Sequence, residues 1–342
     1  MALLEVDMNW TNQVVLITGG TGSFGKKFVE IMLRDLGPRK IIVFSRDELK
    51  QHEMRELGFD QPNLRYFIGD VRDRERLLRA MHGVDIVVHA AALKQVPACE
   101  YNPMEAVKTN IVGTSNVVEA ALDAGVKRVL ALSTDKAVNP VNLYGATKLA
   151  AEKLTVQSNA YAAGAATRYA CVRYGNVVGS RGSVVPVFLK QRGTGKLTIT
   201  DERMTRFWLS LEQGVRFVIH CLDKMRGGEV FVPRIPSMKV IDLAKAIAPE
   251  AEIAVVGIRP GEKLHEVLIS EDEARNTVER ERMFVVKPPE TLWERALQYE
   301  GQAVPEGFRY SSDTNRDWLD LPGIRKLVDP FERLYAAGQL EG

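Results

Sequence analysis

Tyr144 and Lys148 stand four residues apart, a spacing that sets a phenol and an ammonium side by side on one face of a helix. Shortly before them, Ser133-Thr134-Asp135-Lys136 offers two hydroxyls, a carboxyl and an amine. A phenol with an ordinary pKa of about 10 is a poor base near neutrality. A neighbouring cation favours the phenolate, and bringing the phenol to near 7 corresponds to about 4 kcal/mol. These residue types converging on one small volume point to paired proton removal and delivery on a bound substrate.

The surrounding pattern supplies the elements that would hold them. Val129 to Leu132 reads as an apolar strand whose polar tip is Ser133 to Lys136. Asn139-Pro140 and Asn142 mark a turn, and a helix begins near Tyr144. Far upstream, QVVLIT at 13–18 breaks into Gly19-Gly20-Thr21-Gly22-Ser23-Phe24-Gly25 and then a helical run. Strand, glycine turn and helix form the context of a dinucleotide cradle, in which glycines let a pyrophosphate approach backbone N–H groups. The second strand, Lys40 to Phe44, ends in Ser45-Arg46-Asp47, with Lys50 one turn on. A guanidinium matches a 2′-phosphate in two parallel hydrogen bonds, which favours NADP, while Asp47 keeps NAD as the alternative. The third, Asn63 to Ile68, leads to Asp70-Val71, where an acceptor would meet an adenine amino group. The fourth, Val84 to His89, leads to small residues around Ala91 and then Lys94, a cation for a diphosphate or for solvent. A helix around Met104 to Ala124 carries Asn110. This alternation predicts an α/β fold, a doubly wound parallel sheet of Rossmann type with ligands at the carboxyl ends of its strands.

After a strand at Tyr169 to Tyr174 comes a second glycine-rich loop, Gly175-Asn176-Val177-Val178-Gly179-Ser180-Arg181-Gly182-Ser183. It lies too far along for the dinucleotide and suggests a second phosphate-bearing ligand. Thr200 to Arg206 and Gly257 to Lys263 add Arg206 and Arg259, so that three arginines from separate segments would converge on a diphosphate. Residues 1–175 are expected to form the dinucleotide-binding domain, with 207–245 returning to it. Residues 176–206 and 246–342 are expected to form a smaller C-terminal substrate-binding domain. Arg275 to Arg282 is charge-dense and reads as a solvated face.

Composition narrows the classes. A net charge of +2 over 342 residues gives no electrostatic case for nucleic acid. No run approaches the roughly 18 apolar residues of a membrane span, and the N-terminus has no basic-then-apolar leader pattern. Three scattered cysteines fit a reduced cytoplasm without a disulfide framework. His265-Glu266 opens like a zinc motif, but Ile269 stands where the second histidine belongs, so no metal is expected.

With these residues in view, the chain resembles an extended short-chain dehydrogenase/reductase, through GGTGSFG, the Tyr144–Lys148 pair and the Ser133-Thr134 tip. More narrowly it is similar to the inverting UDP-N-acetylglucosamine 4,6-dehydratases that begin pseudaminic acid synthesis for flagellin glycosylation. FSRDELKQ, AALKQVPACEYNP, LSTDKAVNPVNLYGATK, RYGNVVGSRGSVVP and GIRPGEKLHE carry that likeness, with Thr134-Asp135-Lys136 its most specific mark. The resemblance implies a redox-neutral reaction on UDP-N-acetylglucosamine with recycled NADP. Tyr144 as phenolate would take the C4 hydroxyl proton, assisted by Lys148, and Thr134 would orient that hydroxyl. Lys136, as a neutral amine, would take the C5 proton, and Asp135 would protonate the leaving C6 hydroxyl. It also implies that Lys94, Asn176, Val177, Arg181, Thr200, Arg206, Arg259 and Glu262 hold the substrate, and that Ser133 belongs to the cofactor site. A homo-oligomer, a dimer or dimers assembled into a hexamer, is the expected assembly. The rival expectations are a nucleotide-sugar C4 epimerase and a non-catalytic NADP-binding protein.

Overall fold

The computed structural model describes residues 7–162, 165–178, 184–280, 282–288 and 299–337. Six apolar runs become parallel strands: β1 (Val14–Thr18), β2 (Lys40–Ser45), β3 (Leu64–Ile68), β4 (Ile86–His89), β5 (Arg128–Thr134) and β6 (Arg168–Tyr174). Every residue of β1 and β4 is buried, as expected of central strands covered by helices on both faces. The later strands are β7 (Asn176–Val178), β8 (Lys196–Ile199), β9 (Thr205–Ser210), β10 (Val230–Pro233), β11 (Ser237–Lys239) and β12 (Glu252–Val255). They are followed by β13 (Val267–Ile269), β14 (Thr277–Arg280), β15 (Met283–Val286), β16 (Gln302–Ala303) and β17 (Tyr310–Ser311).

The large sheet runs β3-β2-β1-β4-β5-β6-β10-β15-β14-β16. Strand order reverses between β1 and β4, and this switch point opens a crevice at the carboxyl ends. The doubly wound parallel sheet of the sequence reading is therefore present. Register aligns the polar tips, with Thr18 beside both Phe44 and His89, and Thr134 beside Tyr174.

Two features of the chain's second half differ from the sequence reading. The charge-dense stretch expected to be a solvated face contains β14, which pairs antiparallel with β15 and buries Thr277 and Val278. Its apolar and hydroxyl positions are too few to announce a strand, yet they face a neighbour already in place. Moreover β14, β15 and β16 extend the large sheet, whereas the expected boundary put all of 246–342 in the smaller region. Between 207 and 245, the Leu211–Lys224 helix and β10 pack with the large sheet, while β11 joins β9 and β7. The smaller region holds that three-stranded sheet, the β8–β12 pair, and a core including Phe188, Trp208, Leu243 and Ile324, while the β13–β17 pair packs Leu268, Ile269 and Tyr310 into the core of the large sheet.

Candidate active site

The Leu143–Tyr161 helix starts where Asn142 caps it, its side chain accepting from Gly145 N–H at 2.8 Å. Asn142 also donates to Gly261 O at 2.8 Å, and Lys263 Nζ donates to Val138 O at 2.5 Å, so the 257–263 loop is seated on this corner. Directly before it, Asp135–Ala137 forms one tight turn that carries the tip of β5 under the helix. Gly145 makes the approach possible. A Cβ there would stand 2.2 Å from Lys136 O. Gly175 does the same on the other side, where a Cβ would meet Phe207 Cβ at 2.9 Å and Asp135 Oδ2 at 3.3 Å.

Tyr144, Thr134, Asp135 and Lys136 are thereby brought together, with the phenol close enough to Thr134, Asp135 and Lys136 to feel each of them. Thr134 Oγ1 donates to Asp135 Oδ1 at 2.8 Å. Lys136 Nζ donates to Asp135 Oδ1 at 3.1 Å and to Glu266 Oε1 at 3.3 Å, and Arg206 Nε lies 3.6 Å from the same Glu266 oxygen. Asp135 and Glu266 are almost wholly enclosed, and Asp135 Oδ2, Glu266 Oε2 and Asn176 Oδ1 are buried without a hydrogen-bond partner. Orphaned buried acceptors of this kind cost free energy unless a ligand group completes them.

The electrostatics bear on two expectations. The Tyr144 phenol is pushed up to about 12, chiefly by burial, with Lys136 opposing and Asp135 reinforcing the rise. The Lys148 ammonium, lowered by burial, donates to Leu132 O at 2.6 Å. Lys136, expected to be a neutral amine, is instead held above its ordinary value. Burial pulls it down, but Asp135 and then Glu266 outweigh that, while Arg206 opposes them.

Other predicted positions divide. Ser133 is buried and donates to Glu152 Oε2 at 2.7 Å. Glu152 also accepts from buried Arg173 at 2.5 and 3.1 Å, and Arg173 reaches Leu268 O at 2.8 Å and Glu273 at 2.8 and 3.0 Å. This cluster ties the Tyr144 helix to β6 and β13. Arg206 spends its guanidinium on Thr205 O, Leu264 O and Lys263 O at 2.7, 3.1 and 3.0 Å, so it binds the loop as well as facing the site. Arg259 is exposed, and its N–H donates to Glu262 Oε2 at 3.3 Å. Thr200 donates to Met204 Sδ at 3.2 Å. Val177 lies in β7 beside Asn176. Arg181 lies outside the described residues.

The glycine turn fits a dinucleotide. Gly19 has φ +66°, and a Cβ there would stand 2.9 Å from the Ala91 backbone. Gly22 caps the Ser23–Ile31 helix without a side-chain hydrogen bond, leaving N–H groups of that turn for an anion. Gly25 could carry no Cβ, which would approach Gly20 O to 2.3 Å, and Phe24 stacks on Phe28 behind it. Thr21 and Ser45 share a hydrogen bond at 2.8 Å. Asp47 caps the Glu48–Glu56 helix and pairs with Lys50. Asp70 is held below its usual value because Arg72 hydrogen bonds outweigh burial, with Arg46 Nη1 3.6 Å away. Val71 is buried, its carbonyl taken by Asn116 at 3.0 Å. Burial, and then Lys136, lowers the Lys94 ammonium.

Glu266, Asn110 and His89 gain roles that local pattern did not announce. Asn110 accepts from Leu93 N–H and donates to Leu93 O and to Thr147, pinning the segment before Lys94 to the Tyr144 helix. Buried His89 bridges Thr18 at 2.7 Å and Thr114 at 3.1 Å, and Thr18 Oγ1 accepts from Ala90 and Ala91 N–H. Glu266 stands 130 positions from Lys136, beyond any spacing argument, and the sequence reading weighed it only for zinc.

A family model described as polysaccharide biosynthesis protein matches residues 15–288. The chain is 54% identical over 327 residues to the UDP-N-acetylglucosamine 4,6-dehydratase (inverting) of Campylobacter jejuni, covering 93% of this chain and 98% of that protein. It is 44% identical over 274 residues to the UDP-glucose 4-epimerase of Rickettsia rickettsii, covering 77% and 80%. The X-ray structure of Pen from Bacillus thuringiensis matches with a TM-score of 0.87 at 38% identity, over 95% of this chain and 99% of that one. The chain belongs to the polysaccharide biosynthesis protein family of extended short-chain dehydrogenase/reductases, among the inverting UDP-N-acetylglucosamine 4,6-dehydratases.

Proposed function

We propose that the protein converts UDP-N-acetylglucosamine to UDP-2-acetamido-2,6-dideoxy-β-L-arabino-hex-4-ulose, the first step toward pseudaminic acid for flagellin or a surface glycan. The observation that carries this reading is the pairing of buried Asp135 with half-buried Lys136, 3.1 Å apart beside Tyr144. Such an acid–amine pair suits elimination across C5 and C6, and a C4 epimerase has no use for it. A bound nicotinamide would supply hydride acceptance and return. The chain's own groups do the rest. Tyr144 takes the C4 hydroxyl proton, and Thr134 orients that hydroxyl. Once C4 is a ketone the C5 proton is acidic, and Lys136 removes it while Asp135 protonates the leaving C6 hydroxyl. Protonation of C5 from the opposite face inverts that centre. We assign the uridine diphosphate to Asn176, Val177, Thr200, Arg206, Arg259, Glu262 and Lys94, together with Arg181, which lies outside the described residues.

NADP is the cofactor we favour. Asp47, the acid that would read a ribose diol, is engaged as a helix cap and with Lys50, whereas Arg46 is half exposed at the strand tip. No helix among the described residues is long and apolar enough to cross a membrane, which accords with action in the cytoplasm. Tyr101, Met104 and Val112 are exposed apolar side chains close together in sequence, where we place the contact between subunits, and light scattering would return a dimeric or hexameric mass.

The relatives named UDP-glucose 4-epimerase favour one rival. Incubation with UDP-N-acetylglucosamine in D2O decides between them. The expected product is lighter by one water and carries solvent deuterium at C5 with the L-arabino configuration by NMR. A product of unchanged mass with only C4 inverted would overturn the dehydratase reading.

A further inference from the structure

Lys136 is bracketed by two carboxylates, and only Asp135 has a step in the elimination. Glu266 comes from another part of the fold and is firmly set. Its N–H donates to Ser312 Oγ at 2.9 Å, and its carbonyl accepts from Ser312 N–H at 2.8 Å and Ser311 Oγ at 3.2 Å. Ser312 is itself held by Thr205 at 2.7 Å. The side chain is thus delivered to Lys136 by β17 and β9, with one oxygen on the amine and the other without a partner. Such anchoring is more than a solvated ion pair needs.

We propose that Glu266 is the positioning carboxylate of the C5 base: it orients the Lys136 amine and stabilises the ammonium that forms there. This rests on the dehydratase reading. The step balances without a proton from outside. A proton passes from Lys136 Nζ to Asp135 Oδ1, giving a neutral amine and a carboxylic acid together. Rotation about Cε–Nζ turns the lone pair toward C5 while another N–H stays on Glu266. The C5–H bond then breaks, Nζ–H forms, and the electron pair becomes the C5=C6 bond as C6–O breaks. The departing hydroxyl takes the Asp135 proton and leaves as water. Glu266 thereby does for Lys136 what the buried aspartate of a serine-protease triad does for its histidine. The groups facing Lys136 are Asp135 on its own turn, Glu266 before β13, Arg206 of β9, Tyr144, Lys94 and Lys263. Among them Asp135 and Glu266 are the anions, and together they hold the ammonium above its ordinary value against burial and Arg206.

The test uses the full-length enzyme with NADP and UDP-N-acetylglucosamine. Glu266→Gln keeps an acceptor oxygen and removes the charge. Its kcat should fall on the order of a hundredfold, with KM changed less than about threefold. Reduced nicotinamide should accumulate in the first turnover, because C4 oxidation proceeds while C5 exchange with D2O is slowed. The acidic limb of the exchange–pH profile should move to lower pH, since an amine without that anion loses its proton more readily. Glu266→Asp should recover about tenfold of the lost rate, and it carries the test alone if the glutamine variant does not fold. Equal losses in C4 oxidation and C5 exchange, an unmoved pH limb, or an aspartate variant no better than glutamine would each overturn the proposal. A wild-type enzyme that releases no water overturns the dehydratase reading instead, so the two failures are distinguishable.

Discussion

At the scale of single residues, the site is governed by where charge is allowed to rest. Tyr144 sits at about 12, so the phenol is neutral at physiological pH until another positive charge enters the pocket. Tyr144→Phe removes the phenolic hydroxyl beside Thr134. Turnover should drop below a thousandth of wild type, while cofactor affinity by fluorescence titration stays within about threefold. Full activity in that variant would take Tyr144 out of the chemistry. Arg46 makes a separate prediction. Its guanidinium is half exposed beside Asp70, and a charged hydrogen bond to a 2′-phosphate contributes about 1.5–3 kcal/mol. Arg46→Ala should therefore weaken NADP binding about 10- to 100-fold and leave NAD nearly unchanged. Parallel loss of both cofactors would show that Arg46 does not discriminate between them.

Between elements, the reacting groups meet because one helix backbone comes unusually close to the turn below it, and a side chain of that turn to the end of β6. The Leu143–Tyr161 helix rests on the Asp135–Ala137 turn through Gly145, and that turn rests against Gly175 at the end of β6. The clash a Cβ at 145 would make is with a carbonyl oxygen at 2.2 Å, which no rotamer change relieves. Gly145→Ala must push the helix or the turn by about 1 Å, a displacement that can cost on the order of a hundredfold in rate. Overpacking of this kind destabilises by about 1–3 kcal/mol. The expected outcome is a folded protein by circular dichroism whose kcat has fallen at least tenfold. Wild-type kcat would mean that the close approach is not needed. The Arg173–Glu152–Glu273 cluster works at the same level, fixing the far side of the helix to β6 and to the segment that carries Glu266.

Over the whole molecule, the sheet's switch point sets both ligand position and stability against acid. His89 ends β4 there, fully enclosed and brought down to about 3, by burial first and then by Lys148. Its folded pKa lies below the ordinary value of about 6.5, so its contribution is complete above that pH and is lost as pH falls toward 3. Between pH 6.5 and 4.5 the wild type should lose about 2–3 kcal/mol more than His89→Gln in urea unfolding. Identical pH dependence in the two proteins would show that His89 does not carry the effect. The sequence by itself determined the strand–glycine turn–helix opening, the alternation that makes a parallel sheet, and the Tyr144–Lys148 and Asp135–Lys136 pairs, because each rests on neighbours within a few residues. It also carried enough of a family signature to name the reaction class. Tertiary structure alone decided that Glu266 and Arg206 face Lys136, that Ser133 turns to Glu152, that β14 joins the large sheet, and that Asp135 and Glu266 hold the Lys136 ammonium above its ordinary value. Those outcomes depend on contacts between distant segments and on burial, and neither quantity is written in local spacing.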